Sequence, residues 1–258
     1  MICPTCLQAC TAFVKGECKS CYTKTYGKRK RLEKRLLNSI TLTTEQKEVL
    51  QGLMLGDGCL LYSSKESKNP RLAIVRKSTD VDYLQWQLVK LQNLFNSGIK
   101  HTSNFDERTN KTYYKVYMQS KSLSSLKEVR DKWYTNNIKI IPPDLKLTPL
   151  ICLIWFCDDG SIIHKSIKST EIKLSTHSFS LKENEFLVSL LNNELNQKFR
   201  IVKDNSNKKE HYYIAGSTKA ALAYINYIDD IFPDCMSRKS DKWRLKELWD
   251  GIKRGPYK

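Results

Sequence analysis

Two apolar segments, each ending in Asp-Gly, recur 102 residues apart at equivalent points of a repeated plan, and this duplication constrains the fold most strongly. The first reads Leu50-Gln51-Gly52-Leu53-Met54-Leu55-Gly56-Asp57-Gly58, the second Cys152-Leu153-Ile154-Trp155-Phe156-Cys157-Asp158-Asp159-Gly160. Both are apolar almost all round, as helices buried on every side must be. Thr43-x-x-Gln46 has the form of a capping box opening the first helix. Strand-like stretches Cys59–Ser63 and Arg71–Lys77 follow, then helical periodicity over Asp80–Phe95. A second hairpin (Lys100–Phe105, Thr112–Gln119) and a helix over Leu123–Tyr134 complete the unit. After Pro142-Pro143 the plan restarts with a helix over Thr148–Asp158 and strands Ser161–Lys165 and Glu171–His177. Ser180-x-x-Glu183 caps a helix to about Leu195; a hairpin (Phe199–Lys203, His211–Ala215) and the helix Thr218–Ile231 close it. Each half reads α-β-β-α-β-β-α, which predicts a pseudo-two-fold α+β protein with one sheet per half.

An Asp-Gly pair ordinarily just stops a helix, the glycine supplying a left-handed residue. A carboxylate at the negative end of a helix dipole is nevertheless unfavourable by about 0.3–1 kcal/mol unless a cation compensates. Two such carboxylates at matching points of a repeat therefore point to a cation. Helices packed side by side at the pseudo-dyad would bring Asp57 and Asp159 together, and Gly52 and Gly56, on one helix face, would let the backbones approach. Two hard oxygen ligands suit Mg²⁺, which retains several waters and can activate one against a phosphodiester.

The charge balance agrees with such a substrate. Lys+Arg 44 against Asp+Glu 27 leaves +17, a surplus that favours a polyanionic partner. No apolar run of about 18 residues is present, so no membrane span is expected. Met1–Cys10 lacks the basic start and apolar stretch of a signal peptide. The expectation is a soluble protein in a reducing compartment, with organelle, phage, cytoplasm and nucleus all open.

Five of the nine cysteines crowd into the first 21 residues. Cys3-x-x-Cys6 and Cys18-x-x-Cys21, separated by 11 residues, can place four thiolates around a tetrahedral Zn²⁺, with Cys10 a spare that could replace one ligand. Cys59, Cys152, Cys157 and Cys235, scattered among apolar neighbours, read as ordinary buried thiols. The expected organisation is a zinc-knuckle-like module (1–24), a basic connector around Lys28-Arg29-Lys30-Arg31 (25–42), the two halves (43–140 and 141–240) and a basic C-terminal extension (241–258) with a helix around Trp243–Trp249.

The paired segments resemble the motifs of the LAGLIDADG homing endonucleases, in their single-chain, two-motif branch. The likeness covers roughly residues 43–240 and includes Ile141-Pro142 to Thr148-Pro149, Thr176-His177-Ser178-Phe179 and Pro233-Asp234-Cys235-Met236. In the second motif Ile154 replaces the third-place glycine and Asp158 stands at the seventh place. The resemblance implies a DNA double-strand-cleaving monomer with Asp57 and Asp159 as Mg²⁺ ligands. Gly56, through its backbone, and Asp158, as a cap or a group one layer out, are expected to support the metal. It also implies basic residues beside the metals, matched by Lys139 in the first half and by Arg238, next to Lys239, in the second.

In such a fold each sheet buries one face and offers the other to double-stranded DNA. Alternation puts Tyr114, Val116 and Met118 inside and Tyr113, Lys115, Tyr117 and Gln119 outside; on the other half Ile172 and Leu174 are inside and Lys173, Ser175 and His177 outside. Arg71 and Lys77 are further outward candidates. Two alternatives compete: a splicing maturase on the same fold, binding intron RNA, and a non-catalytic zinc-containing DNA-binding regulator. Retention of both motif aspartates favours cleavage over either.

Overall fold

The computed structural model describes residues 1–166, 169–204 and 210–240, without the side chains of Lys34, Asn38 and Ser240. The expected C-terminal extension 241–258 and its helix lie outside the described residues. At the N-terminus, a short hairpin of β1 (Phe13–Val14) and β2 (Glu17–Cys18) turns on Lys15 (φ 49°) and Gly16 (φ 84°). Consecutive left-handed residues are what a tight two-residue hairpin requires. Cys18 then caps α1 (Lys19–Asn38), its sulfur accepting from the Cys21 N–H. This helix of 20 residues, about 30 Å long, is continuous, so the expected boundary after residue 24 falls inside it. Leu37 and Ile40 tie its far end to the main core.

Thr43 and Gln46 form the expected capping box, and α2 (Thr44–Leu55) follows, buried along most of its length. The chain continues through β3 (Cys59–Leu61), β4 (Arg71–Lys77), α3 (Val81–Lys90), β5 (Lys100–Asp106), β6 (Lys111–Gln119) and α4 (Ser124–Trp133). Helix α3 is shorter than the periodicity over Asp80–Phe95 suggests: Ser78–Asp80 and Gln92–Leu94 are single 3₁₀ turns. A small hairpin, β7 (Tyr134–Thr135) with β8 (Ile138–Lys139), follows α4. Asn136 and Asn137, at φ 51° and 64°, make the turn; Asn accepts left-handed backbone more readily than other non-glycine residues.

The second half repeats the path as α5 (Pro149–Asp159), β9 (Gly160–Ser166), β10 (Ser169–Leu174), α6 (Leu181–Leu195), β11 (Phe199–Asp204), β12 (His211–Gly216) and α7 (Thr218–Ile228), ending in α8 (Ser237–Ser240). The two four-stranded antiparallel sheets have one strand order, β3-β4-β6-β5 and β9-β10-β12-β11. Even the register repeats, Cys59 lying opposite Ala73 and Ser161 opposite Lys173. Helices cover one face of each sheet, and α2 packs along α5 where the halves meet. A single apolar core runs from Val49 through both halves to Met236.

Along β6, Val116 and Met118 are buried as alternation requires, but Tyr114 is 66% exposed, contrary to expectation. The β5–β6 hairpin extends beyond the helices there, every residue from Lys100 to Phe105 and from Lys111 to Tyr114 being exposed, so neither face meets a core.

Candidate active site and nucleic-acid interface

The helix pair owes its closeness to the first motif's glycines. A Cβ added at Gly52 would lie 2.7 Å from Ile154 Cβ, and one at Gly56 would lie 2.5 Å from Asp158 Cβ and Oδ2. Ile154 and Asp158 are the two departures of the second motif, and each faces the glycine retained at the equivalent place of the first. Gly58 and Gly160 serve similarly within their own halves, since side chains there would strike Leu53 and Phe156. Neither Gly56 (φ −107°) nor Gly160 (φ −87°) is left-handed, so close approach, not helix termination, demands them.

Asp57 and Asp159 follow at the two helix ends. The Asp57 side chain is 45% exposed in a cleft shared with Arg76, Lys77, Lys115, Asp158 and Lys239. Asp159 is more enclosed: burial first, then the charges of Asp57 and Asp158, push its carboxyl up to about 7, against the opposing pull of Lys239 and Lys139. A carboxyl raised by its acidic neighbours in this way is crowded enough for a nearby cation to relieve it.

Each helix end is clasped by a lysine. Lys139 Nζ donates to the carbonyls of Gly56 (3.1 Å) and Gly58 (2.9 Å); Lys239 Nζ donates to those of Asp158 and Gly160 (both 3.1 Å). Burial lowers both ammonium pKa values. These lysines cancel the negative helix ends. Lys239 thus makes in the second half the contacts that Lys139 makes in the first, while the expected Arg238 turns its guanidinium to Asp80 (2.5 Å). The hairpin β7–β8 delivers Lys139, and Arg130 pins that hairpin. Its guanidinium donates to Asn137 Oδ1 (2.6 Å) and to the Leu60 carbonyl while lying over the Tyr134 ring (4.3 Å).

The Asp158 side chain is fully buried and its carboxylate is committed to protein donors. Oδ1 accepts from Arg76 Nη2 (2.6 Å) and Tyr83 Oη (3.2 Å); Oδ2 accepts from the Asp57 N–H (3.0 Å). Gly56 offers its carbonyl to Lys139. Arg76, which also reaches Asp57 Oδ2 (3.0 Å), is absent from the expected residues. Its signal lies in β4, where Leu72, Ile74 and Arg76 share the core-facing register, so that a cation occupies an apolar position.

The outward faces of the sheets carry the candidate nucleic-acid residues. On the first sheet, Lys77 lies opposite Lys115 and Val75 opposite Tyr117, with Gln119 beside Ala73 and Arg71 at the strand start. On the second, Lys173 lies over the Tyr213 ring (4.2 Å), Ser175 follows the strand, and His177 Nε2 meets Asp204 Oδ2 (3.1 Å). Lys77 and Gln119 are exposed; Arg71, Lys115, Tyr117, Lys173, Ser175 and His177 are half-buried.

A second candidate metal centre stands at the N-terminus. The sulfurs of Cys3, Cys6, Cys18 and Cys21 all lie within 4.8 Å of one another, and Cys6 and Cys18 are 3.8 Å apart. Tetrahedral bonds of about 2.3 Å to zinc put sulfurs about 3.8 Å apart, so the four can hold one metal ion. The Cys18 N–H donating to Cys3 Sγ (3.2 Å) holds that thiol down at about 6, near the thiolate form that a metal needs. Cys10 stands outside this group, its Sγ facing the Gln8 carbonyl.

Residues 47–237 match the model of the LAGLIDADG DNA endonuclease family. The DNA endonuclease I-ChuI of Chlamydomonas applanata is 28% identical over 214 residues, covering 78% of this chain and 96% of that one. The cytochrome b mRNA maturase bI2 of Saccharomyces cerevisiae is 30% identical over 167 residues, covering 61% of this chain but 38% of the maturase. The solved structure of the homing endonuclease I-WcaI bound to its DNA recognition sequence has a TM-score of 0.71 at 21% identity, covering 91% of this chain and 96% of that one. At that identity the likeness is one of fold.

Proposed function

The chain belongs to the LAGLIDADG DNA endonuclease family, and from that premise we propose that it is a site-specific homing endonuclease, cutting both strands of a long DNA target by divalent-metal-dependent hydrolysis. The observation that carries this is the convergence of Asp57 and Asp159 at the ends of packed helices, each helix end clasped by a lysine. Asp57 and Asp159 would hold Mg²⁺, and their crowding fits a divalent cation. When bound, such a metal would supply Lewis acidity at the phosphodiester. Lys139 and Lys239 hold the helix ends in place and offset the negative charge of the carboxylates, which favours approach of a phosphate. Arg238 on this reading steadies Asp80 at the cleft rim and touches no reacting atom.

The outward residues Arg71, Lys77, Lys115, Tyr117 and Gln119 on one sheet, and Lys173, Ser175 and His177 on the other, are the proposed DNA contacts, with two sheets reading two half-sites. Both halves lie in one chain, so a monomer suffices. The four N-terminal cysteines would bind structural Zn²⁺, fixing the start of α1. The exposed basic side chains along this helix, among them Lys28, Arg29, Arg31 and Arg35, would then track the phosphate backbone. The maturase relative supports a second reading, intron RNA as an additional partner. Among the described residues no helix is long and apolar enough to cross a membrane.

The deciding experiment is a cleavage selection. Purified protein with Mg²⁺ is expected to recover one long target, cut on both strands, from a randomised duplex library. Recovery of no cut duplex, with tight binding to structured intron RNA, would replace the nuclease reading with the maturase.

A further inference from the structure

Resting on the nuclease reading, we propose that Arg76 and Asp158 form a positioning pair that sets the Asp57 carboxylate from across the pseudo-dyad, making the two halves of the active centre unequal. Arg76 sits on the core-facing register of β4 with 4% of its side chain exposed, so it is no DNA contact. Its guanidinium spends all three nitrogens inside the protein: Nε on Gln87 Oε1 (3.2 Å), Nη2 on Asp158 Oδ1 (2.6 Å) and Nη1 on Asp57 Oδ2 (3.0 Å). The Tyr83 ring lies 4.5 Å from it and closes the remaining face. The planar guanidinium therefore bridges the two carboxylates, one nitrogen to each, and its rigid fork fixes where they stand relative to one another. Asp158 also grips Asp57 directly, accepting from its backbone N–H (3.0 Å). Asp57 is thus held at backbone and side chain by one buried ion pair, whose acid belongs to the other half.

Among the described residues the second half has no such device. The shared register of the two sheets places Thr176 where the first half has Arg76. Its hydroxyl is turned to Asn184, with the Tyr212 carbonyl beside it. At the place equivalent to Asp158 the first half has Gly56, which carries no side chain. The cations acting on Asp159 are Lys239 and Lys139. The motif departure at Asp158 is therefore one half of a pair whose other half, Arg76, lies 82 residues earlier.

Arg76→Met alone would strand a buried carboxylate and could unfold the protein. The test therefore uses the double variant Arg76→Met/Asp158→Asn, which removes both charges, and reads each strand of an end-labelled target separately. Expected is a folded variant in which one strand is cut about ten- to hundredfold more slowly, so that nicked duplex accumulates, with DNA affinity unchanged. Restoring Asp158 with Arg76→Lys should return part of that rate, because Lys keeps the charge and loses the rigid fork that bridges the two carboxylates. Equal slowing of both strands, or no change in either, overturns the inference while leaving the nuclease reading intact. Wild-type protein that cuts neither strand overturns both.

Discussion

Replacing Gly52 by alanine tests the helix packing on which the site depends. In an exposed helix this change would stabilise by about 1 kcal/mol. Here the new Cβ would lie 2.7 Å from Ile154 Cβ, 3.0 Å from the Ile151 carbonyl and 3.1 Å from Ile154 Cγ2. A Cβ and a carbonyl are parts of the main chain's own frame and cannot rotate away, so the helices must separate. Overpacking of this kind costs about 1–3 kcal/mol, leaving a net loss of about 0–2 kcal/mol after the propensity gain. The clash names its own relief. Ile154→Gly removes the opposing Cβ, although by itself it costs about 3–6 kcal/mol through cavity and helix terms. In a double-mutant cycle followed by urea unfolding, Gly52→Ala with Ile154→Gly should be more stable than the sum of the single changes by about 1–3 kcal/mol. Ile154→Ala, which keeps the Cβ, should give little of this rescue. Additivity within about 0.5 kcal/mol would refute the claim that Gly52 exists to admit Ile154.

Lys239→Met should slow cleavage by about 10²-fold, and Arg238→Ala should leave it little changed; strand-cleavage rates reversing that order would return the second basic position to Arg238. The N-terminal module should hold one zinc per chain by metal analysis, and Cys6→Ser with Cys21→Ser should abolish it and raise amide exchange over residues 1–38. Retained zinc in that variant would reject the four-cysteine site. Changing Arg29, Arg31 and Arg35 to alanine should lower the slope of log affinity against log salt by about 1 for each arginine that pairs with a phosphate. An unchanged slope would remove α1 from the DNA interface.

Much of this architecture is readable because the chain states it twice. The capping boxes at Thr43 and Ser180, the strand Arg71–Lys77 and the apolar helix pair follow from local patterns, and a repeated pattern identifies its own equivalents. The features that local patterns miss depend on partners distant in sequence. Arg76 and Asp158 each break a local rule, a cation in a core register and an acid at a glycine's place, and their neutralisation is visible only when the helices pack. Arg238 and Lys239 are adjacent, and one residue of phase around the start of α8 decides which reaches the helix end. Tyr114 is exposed although it shares the register of Val116 and Met118, because alternation cannot tell where a hairpin outruns its helices. The boundary expected after residue 24 dissolves into α1 because a basic run on a helix looks like a linker in composition.

The two-carboxylate metal centre is tested most directly by cleavage of the selected target with Asp57→Asn and Asp159→Asn, DNA affinity being measured alongside. Each variant should fold, bind the target as the wild type does and lose Mg²⁺-dependent cutting. Full cutting by either variant would contradict the assignment of the metal site to the ends of the paired helices.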